Sequence, residues 1–362
     1  MPKVAVIYLS YHSDEFLPDL VEAMRNSVYP KDRTTLVMVD NPHPEFGSSV
    51  PKINELVVSH SKKALPEVVV LAQSENKGFC GGNNAGIDWA LRHGFDYVFL
   101  HNQDGYFSPD CLIRLVNAME ADPNIGCSQS LVMLHGTEKI NSIGNSFNFL
   151  GFGYISNFGF DKKLLDLGPV AEVGYASGAA LFMRADLIRK YGALDPDLFA
   201  YHEDVEYSLR LKLAGFKVAV VPSAVFYHKY VFNRNSSKFY YMERNRYAVL
   251  LMYYRFATLF LLFPMLFFME LGISFFFFKN GWSKEKIAVE KYWMSPKNLR
   301  LWLKKRKYIQ SIRKISDRKF LSMATAEVVF GEKYGMDSPL LRYVANPIMK
   351  VYKMIVQMVL FW

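Results

Sequence analysis

Two short stretches hold residues able to do chemistry together. In the first, the apolar run Tyr97-Val98-Phe99-Leu100 leads into Asn102-Gln103-Asp104 and then Gly105. Asn, Asp and Gly are ordinary turn residues. A lone carboxylate at the exit of a buried strand also stands where open α/β sheets hold metals and nucleotides. In the second, His202, Glu203, Asp204 and Glu206 gather at the start of an amphipathic stretch. One acid in a first helical turn merely complements the helix dipole. Such a cluster together with an isolated carboxylate on a strand edge supplies a general base opposite a metal. A third stretch, ENKGFCGGNNAGI at 75–87, sets glycines between a strand and a helix, where backbone amides favour anions. Its Gly78, Gly81 and Gly82 do not follow the G-x-G-x-x-G order, which argues against a nicotinamide site.

These residues need elements to position them. Val4–Leu9, Thr35–Val39, Glu67–Leu71 and Tyr97–Leu100 are predicted strands, mostly apolar throughout, as when both faces of a sheet are covered. Between them the periodicity predicts helices over Asp14–Asn26, Asn83–His93 and Pro109–Ala121, with Ser108-Pro109 as N-cap and first helical position. The alternation implies an α/β fold with a mainly parallel sheet. Beyond Ile125 recurring glycines and asparagines predict short antiparallel strands and mobile loops around a site. A helix follows near Glu203–Ala214, then strands near Val218–Val221 and Ala224–Tyr227. The domain boundary falls near Tyr230–Lys238, separating a first domain over 1–235 from a helical, apolar and basic region over 236–362.

Composition narrows the class. With 51% hydrophobic and 15% aromatic residues in 362, the chain is far from a disordered composition. Its three cysteines, Cys80, Cys111 and Cys127, lack histidines at zinc-ligand spacing, so free thiols in a reducing compartment are expected. The opening MPKVAVIYLSYH reads as a first buried strand rather than a signal peptide. The net charge of +9 is concentrated: Lys279–Lys319 holds 14 Lys or Arg against 3 acids. Just before it, residues 256–278 carry one charge, Glu270, and one proline, Pro264. An apolar segment followed at once by a basic one is the pattern of a protein held to the cytoplasmic membrane face. A pair of helices in the membrane interface ranks first, a single span second, and a buried subdomain or dimer interface third. The tail 347–362 offers a second apolar anchor. Nucleic-acid binding through the basic segment, with Trp282, Trp293 and Trp302 as stacking faces, is disfavoured by that apolar neighbour.

The order VDN, then N-K-G-F-x-x-x-N-N-x-G, then NQD, then G-A-A-L-F-M-R, then F-A-Y-H-E-D-V-E resembles glycosyltransferase family 2, the inverting GT-A group, over about residues 3–250. The rhamnosyltransferase-like branch looks nearest. The resemblance implies a Rossmann-like GT-A catalytic domain that moves one sugar from a nucleotide-diphosphate donor to a hydroxyl of a lipid-linked saccharide in cell-surface polysaccharide assembly. It implies Asp204 as the catalytic base and Asp104 as the last acid of a D-x-D signature, with Mg2+ or Mn2+ and His228 as a further ligand. Tyr11, Asp40, Asn76, Gly78, Asn84, Asn102 and Gln103 are implied on the nucleotide side, and Gly178, His202, Glu203 and Arg244 on the acceptor or phosphate side. Arg244 and Asn245 would mark a helix start. Asn102 replaces the first acid of D-x-D, leaving one direct carboxylate for a cation that commonly takes further ligands from phosphates. No Gln-x-x-Arg-Trp follows the acidic cluster, so the chain does not resemble processive synthases. The donor is dTDP-rhamnose by branch, with UDP-galactofuranose or another UDP-sugar as the alternative. From another class, a non-catalytic nucleotide-sugar-binding protein would have no need of His202-Glu203-Asp204. The residues leave self-association open.

Overall fold

A computed structural model describes residues 1–165, 168–230, 236–328 and 339–362. The chain forms two compact units. The first comprises Met1–Asn145, Ile155–Lys212 and Phe216–Val231, the second Ser146–Tyr154, Leu213–Gly215 and Phe232–Trp362. Within the expected boundary at 230–238, positions 231–235 lie outside the described residues.

The first unit is built on strands β1 (Val4–Ser10), β2 (Thr34–Asp40), β3 (Glu67–Ala72), β4 (Tyr97–His101), β5 (Gly105–Phe107), β6 (Ile125–Leu134) and β7 (Ile140–Ser142). A short pair β8 (Asn145–Phe147) and β9 (Gly153–Ile155), mostly within the second unit, follows in the chain, and the first unit continues with β10 (Ala171–Glu172), β11 (Ala180–Arg184) and β12 (Lys217–His228). Its helices are α1 (Leu17–Asn26), α2 (Val50–Leu56), α3 (Gly78–Arg92), α4 (Cys111–Ala121), α5 (Ala185–Tyr191) and α6 (Glu203–Leu213).

The sheet runs β10-β12-β6-β11-β4-β1-β2-β3, with β5 and β7 paired to β12 and β6. The segment β4-β1-β2-β3 is parallel throughout. β11 is antiparallel to β4 and β6, and β12 runs parallel to β6. Every residue of β1, β2 and β4 is buried, which is why their sequences are apolar without alternation. β3 closes the sheet and is half-exposed, so its first residue, Glu67, meets solvent. α3 lies against β1 and β2 because Gly86 has no side chain: a Cβ there would stand 2.6 Å from Ile7 Cγ2.

Several elements differ from expectation. α3 begins five residues before Asn83, at Gly78, because Gly78 at φ +69° turns the chain into the helix. α4 begins at Cys111 rather than Pro109, and Ser108 donates to the Asp110 carboxylate instead of capping the helix. β11 and α5 had no strong signal. The two strands expected at 218–221 and 224–227 are one strand, β12, whose register against β6 slips between Val221 and Val225. Pro222 ends no strand here; it sits in the irregularity, where its missing amide costs no ladder bond.

The second unit consists mainly of α7 (Ser236–Tyr253), α8 (Phe256–Lys279), α9 (Ser283–Met294), α10 (Pro296–Ser311), α11 (Asp317–Met323) and α12 (Asn346–Val359). Trp302, Tyr253, Tyr254 and Phe320 are buried in its core. Residues 256–278 form one helix that continues through Pro264, not the expected pair. Glu270, the single charge of residues 256–278, is not stranded. It bonds the Tyr247 hydroxyl at 2.5 Å, Arg246 Nη2 at 3.1 Å and Lys286 Nζ.

Candidate active site

The site is assembled at the carboxyl ends of β4 and β12. Leaving β4, the Asn102 amide donates to Ala179 O at 3.0 Å, and Asn102 Nδ2 donates to Asp104 Oδ1 at 2.5 Å. The last residue of β12, His228, sets Nε2 at 2.9 Å from the same carboxylate oxygen. Asp104 keeps its side chain 27% exposed, so this pair opens to solvent. The other ring nitrogen, Nδ1, is 3.3 Å from Asn141 Oδ1. Asn102 Nδ2 lies 3.4 Å from His228 Nε2, so amide, carboxylate and imidazole converge on one point. With the ring proton on Nδ1, toward Asn141, a cation arriving there would meet the Nε2 lone pair and the carboxylate together.

Among the described residues no three His, Cys, Asp or Glu converge as a metal cluster. The donor set is instead one carboxylate and one imidazole, beside the Asn102 side chain, of which only the carbonyl oxygen could ligate. That composition suits a hard divalent cation which takes its remaining ligands from phosphate and water. The residues therefore fit the expected Mg2+ or Mn2+ in a substrate-completed site.

Asp204, at the start of α6, lies against the same loop. Its Oδ2 accepts from the Gly178 amide at 3.1 Å and its Oδ1 from the Val205 amide at 2.8 Å. Residues 178 and 179 thus hold Asp204 on one side and the Asn102-Asp104 turn on the other. Burial pushes the Asp204 carboxyl above its usual range, while the two amides oppose the shift. Glu203, 7% exposed, is pushed up to about 8 by burial first and by the Asp204 charge second. Its Oε2 has no hydrogen-bond partner. We therefore place the proton on Glu203 and the charge on Asp204, whose oxygens are the ones met by amides.

The approach to α6 is strained. Phe199, Tyr201 and His202 all have φ between +63° and +67°. Non-glycine residues seldom adopt this conformation, and it concentrates at functional sites. The backbone of His202 starts the helix by accepting the Glu206 amide at 2.8 Å, and its ring is buried.

On the β1–β2 side, Gln103 locks onto the Tyr11 backbone, accepting its amide at 2.7 Å and donating to its carbonyl at 3.1 Å. Tyr11 packs on His43, with ring centroids 4.7 Å apart, and Phe46 stacks on His12 at 4.0 Å. This aromatic cluster was not legible, because positions 11–12 and 43–46 are remote in sequence and each looks like loop. Asn76 Oδ1 accepts from Asn41 Nδ2 and from the Gly78 amide, both at 2.8 Å. Gly78 cannot be larger: a Cβ would sit 2.5 Å from the Phe199 carbonyl.

Three expected site residues sit differently. Asp40 is 1% exposed, and its oxygens accept from the Ser48 hydroxyl at 2.6 Å and the Ser49 amide at 3.0 Å. It holds the loop after β2 rather than presenting an open carboxylate. Asn84 is committed to the Leu194 backbone, donating at 2.8 Å and accepting at 3.1 Å. It ties α3 to the chain beyond α5. Arg244 lies mid-way along α7 in the second unit, not at a helix start, buried against the rings of Tyr241 and Tyr292.

The parallel half-sheet, its carboxyl-edge acids and the helical second unit define a GT-A type of fold. A model described as "Glycosyltransferase like family 2" matches residues 2–249, and the chain belongs to that family. It is 25% identical over 166 residues to glucans biosynthesis glucosyltransferase H of Xylella fastidiosa (strain 9a5c), covering 43% of this chain and only 25% of that protein. A structure of GalNAc-T7 with UDP, GalNAc and Mn2+ superposes with a TM-score of 0.54 at 14% identity, covering 70% of this chain and 48% of the other. S. aureus TarS superposes with a TM-score of 0.49 at 14% identity, over 98% of this chain and 55% of the other. The chain therefore spans about a quarter of the glucosyltransferase and half of GalNAc-T7.

Proposed function

We propose that this family 2 glycosyltransferase moves one sugar, with inversion, from a nucleotide-diphosphate donor to a hydroxyl of a lipid-linked saccharide in cell-surface polysaccharide assembly. The observation that carries this reading is the pairing of Asp204 and the Asn102-Asp104 turn on adjacent backbone positions, 178 and 179. The donor diphosphate lies by Asp104 and His228. A divalent cation held there by these residues and Asn102 would offset charge on the departing diphosphate. Asp204 Oδ2 takes the proton from the acceptor hydroxyl as that oxygen attacks the anomeric carbon. Its raised affinity for a proton makes it a better base than an exposed aspartate. Neutral Glu203 adds no second negative charge beside the incoming oxygen. Gln103 and Tyr11 shape the nucleotide side, and Asp40 acts through the loop it holds.

The donor follows the motif order, dTDP-rhamnose first and UDP-galactofuranose or another UDP-sugar second. The work takes place at the cytoplasmic membrane face, where sugar nucleotide and a lipid-borne acceptor meet. Thermal stabilisation by a panel of sugar nucleotides, with and without Mg2+ or Mn2+, tests the reading. One nucleotide should raise the melting temperature only when cation is present. A flat response across the panel overturns the donor assignment.

A further inference from the structure

The apolar surface of the helical unit is ordered in a way that separates lying on a membrane from crossing it. On α8 the exposed side chains include Phe256, Phe260, Phe263, Phe267, Leu271 and Phe275, at steps of three or four along one face, with Phe268 and Phe278 exposed beside them. The opposite face, with Thr258, Leu262 and Met265, is buried within the unit. α12 repeats the design, exposing Ile348, Val351, Ile355 and Met358 while burying Met349 and Val356. The two helices are joined: Tyr352 Oη donates to Leu261 O at 2.6 Å, and Trp362 Nε1 donates to Thr258 Oγ1 at 2.9 Å. Along α12 run two grooves, of about 470 and about 510 Å³. The first sets Arg318 and Lys319 beside Met354 and Met358. The second sets Lys350 and Lys353 beside Val351, with Glu327 at its wall.

Length alone permits a span, since 24 residues make about 36 Å of helix against about 30 Å of hydrocarbon. Packing does not. Glu270, well inside α8, is bonded to Arg246 of α7 and Lys286 of α9. Threading α8 through a bilayer would carry both helices into hydrocarbon, together with the exposed Lys284, Glu290 and Lys291 of α9. A second copy of this chain is the poorer occupant of the apolar face, because a symmetric pairing would bring the same basic grooves together.

We infer that α8 and α12 form an in-plane platform for an anionic lipid surface, with the apolar stripes in the acyl boundary and headgroup phosphates in the two basic grooves. This deepens the membrane part of the proposed function and rests on it.

Sedimentation of the full chain with sucrose-loaded vesicles tests it. Vesicles containing phosphatidylglycerol should bind at least tenfold more protein than phosphatidylcholine vesicles. Phe260→Ser with Phe267→Ser should lower binding to both at least tenfold. Arg318→Glu with Lys319→Glu should remove the preference for phosphatidylglycerol. Melting temperature and sugar-nucleotide stabilisation, read in parallel, should stay unchanged, so a failed donor assignment is told apart from a failed platform. Geometry is read by a fluorophore on Phe256→Cys, Phe267→Cys or Phe278→Cys, quenched by lipids brominated at graded depths. Similar shallow depths at all three support the platform, whereas a deep 267 between shallow ends overturns it in favour of a span. Dimers in light scattering that dissociate in the Phe260/Phe267 variant, with no vesicle binding, overturn it in favour of a second copy.

Discussion

Asp204 and Glu203 are adjacent acids with different duties, and their surroundings tell them apart. Asp204 meets two amides and stays charged, while Glu203 has an unmet oxygen and stays protonated. Asp204→Asn keeps the size of the side chain but not the base, and leaves only one oxygen for the two amides, so transfer should fall by at least ~10²–10⁴ while donor binding is retained. Single-turnover transfer beside a nucleotide titration measures both. Asp104→Ala should instead abolish the cation dependence of nucleotide binding in a calorimetric titration. The Glu203 carboxyl, ordinarily near 4.5, titrates near 8 in the folded chain. Between those values the unfolded chain releases a proton that the folded chain keeps, so stability is whole below about pH 4.5 and declines as pH rises through 8. Glu203→Gln has no proton to lose, and its melting temperature should drop less between pH 5 and 8 than that of the parent. Both acids were legible because each breaks a local pattern, one at a strand exit and one in a crowded first turn. Asn141 behind His228 was not, since only the pairing of β6 with β7 brings it there. The contacts of Asp40 were hidden because its partners, Ser48 and Ser49, look like any loop.

At the scale of elements, the strands that read most clearly were those buried on both faces. Their apolar runs leave no rival period, and β1, β2 and β4 fall within a residue or so of expectation. α3 was harder: glycines lower helix propensity, so its first turn read as loop. Those glycines serve contact instead. Gly86→Val would drive a side chain into Ile7 and Val39 and should cost ~1–3 kcal/mol in denaturant unfolding. β11 was not legible because its five residues run directly into α5 with no turn between them.

For the whole molecule, burial governs chemistry as much as shape. The three cysteines are free and buried, and burial pushes the thiols of Cys111 and Cys127 up to about 12. Native protein should therefore resist a thiol reagent at pH 8 and consume three equivalents only on unfolding, which a labelling time course against urea would show. The change of composition after position 235 was legible in the sequence. Which face of α8 is covered was not, because the segment is apolar all round and only packing chooses a side.

The slip in β12 has a geometric consequence for inheritance. Val221 faces Ser130, yet Val225 faces Leu131, so three residues are taken up without advancing the partner strand. Side chains on a strand alternate, and an odd excess therefore reverses which flank each later residue occupies. A one-residue slip of Val225–His228 against β6 would turn the imidazole at 228 away from the carboxylate at 104. Homologues of different length at this kink should therefore absorb the change within 222–224 and keep histidine opposite the last residue of β6.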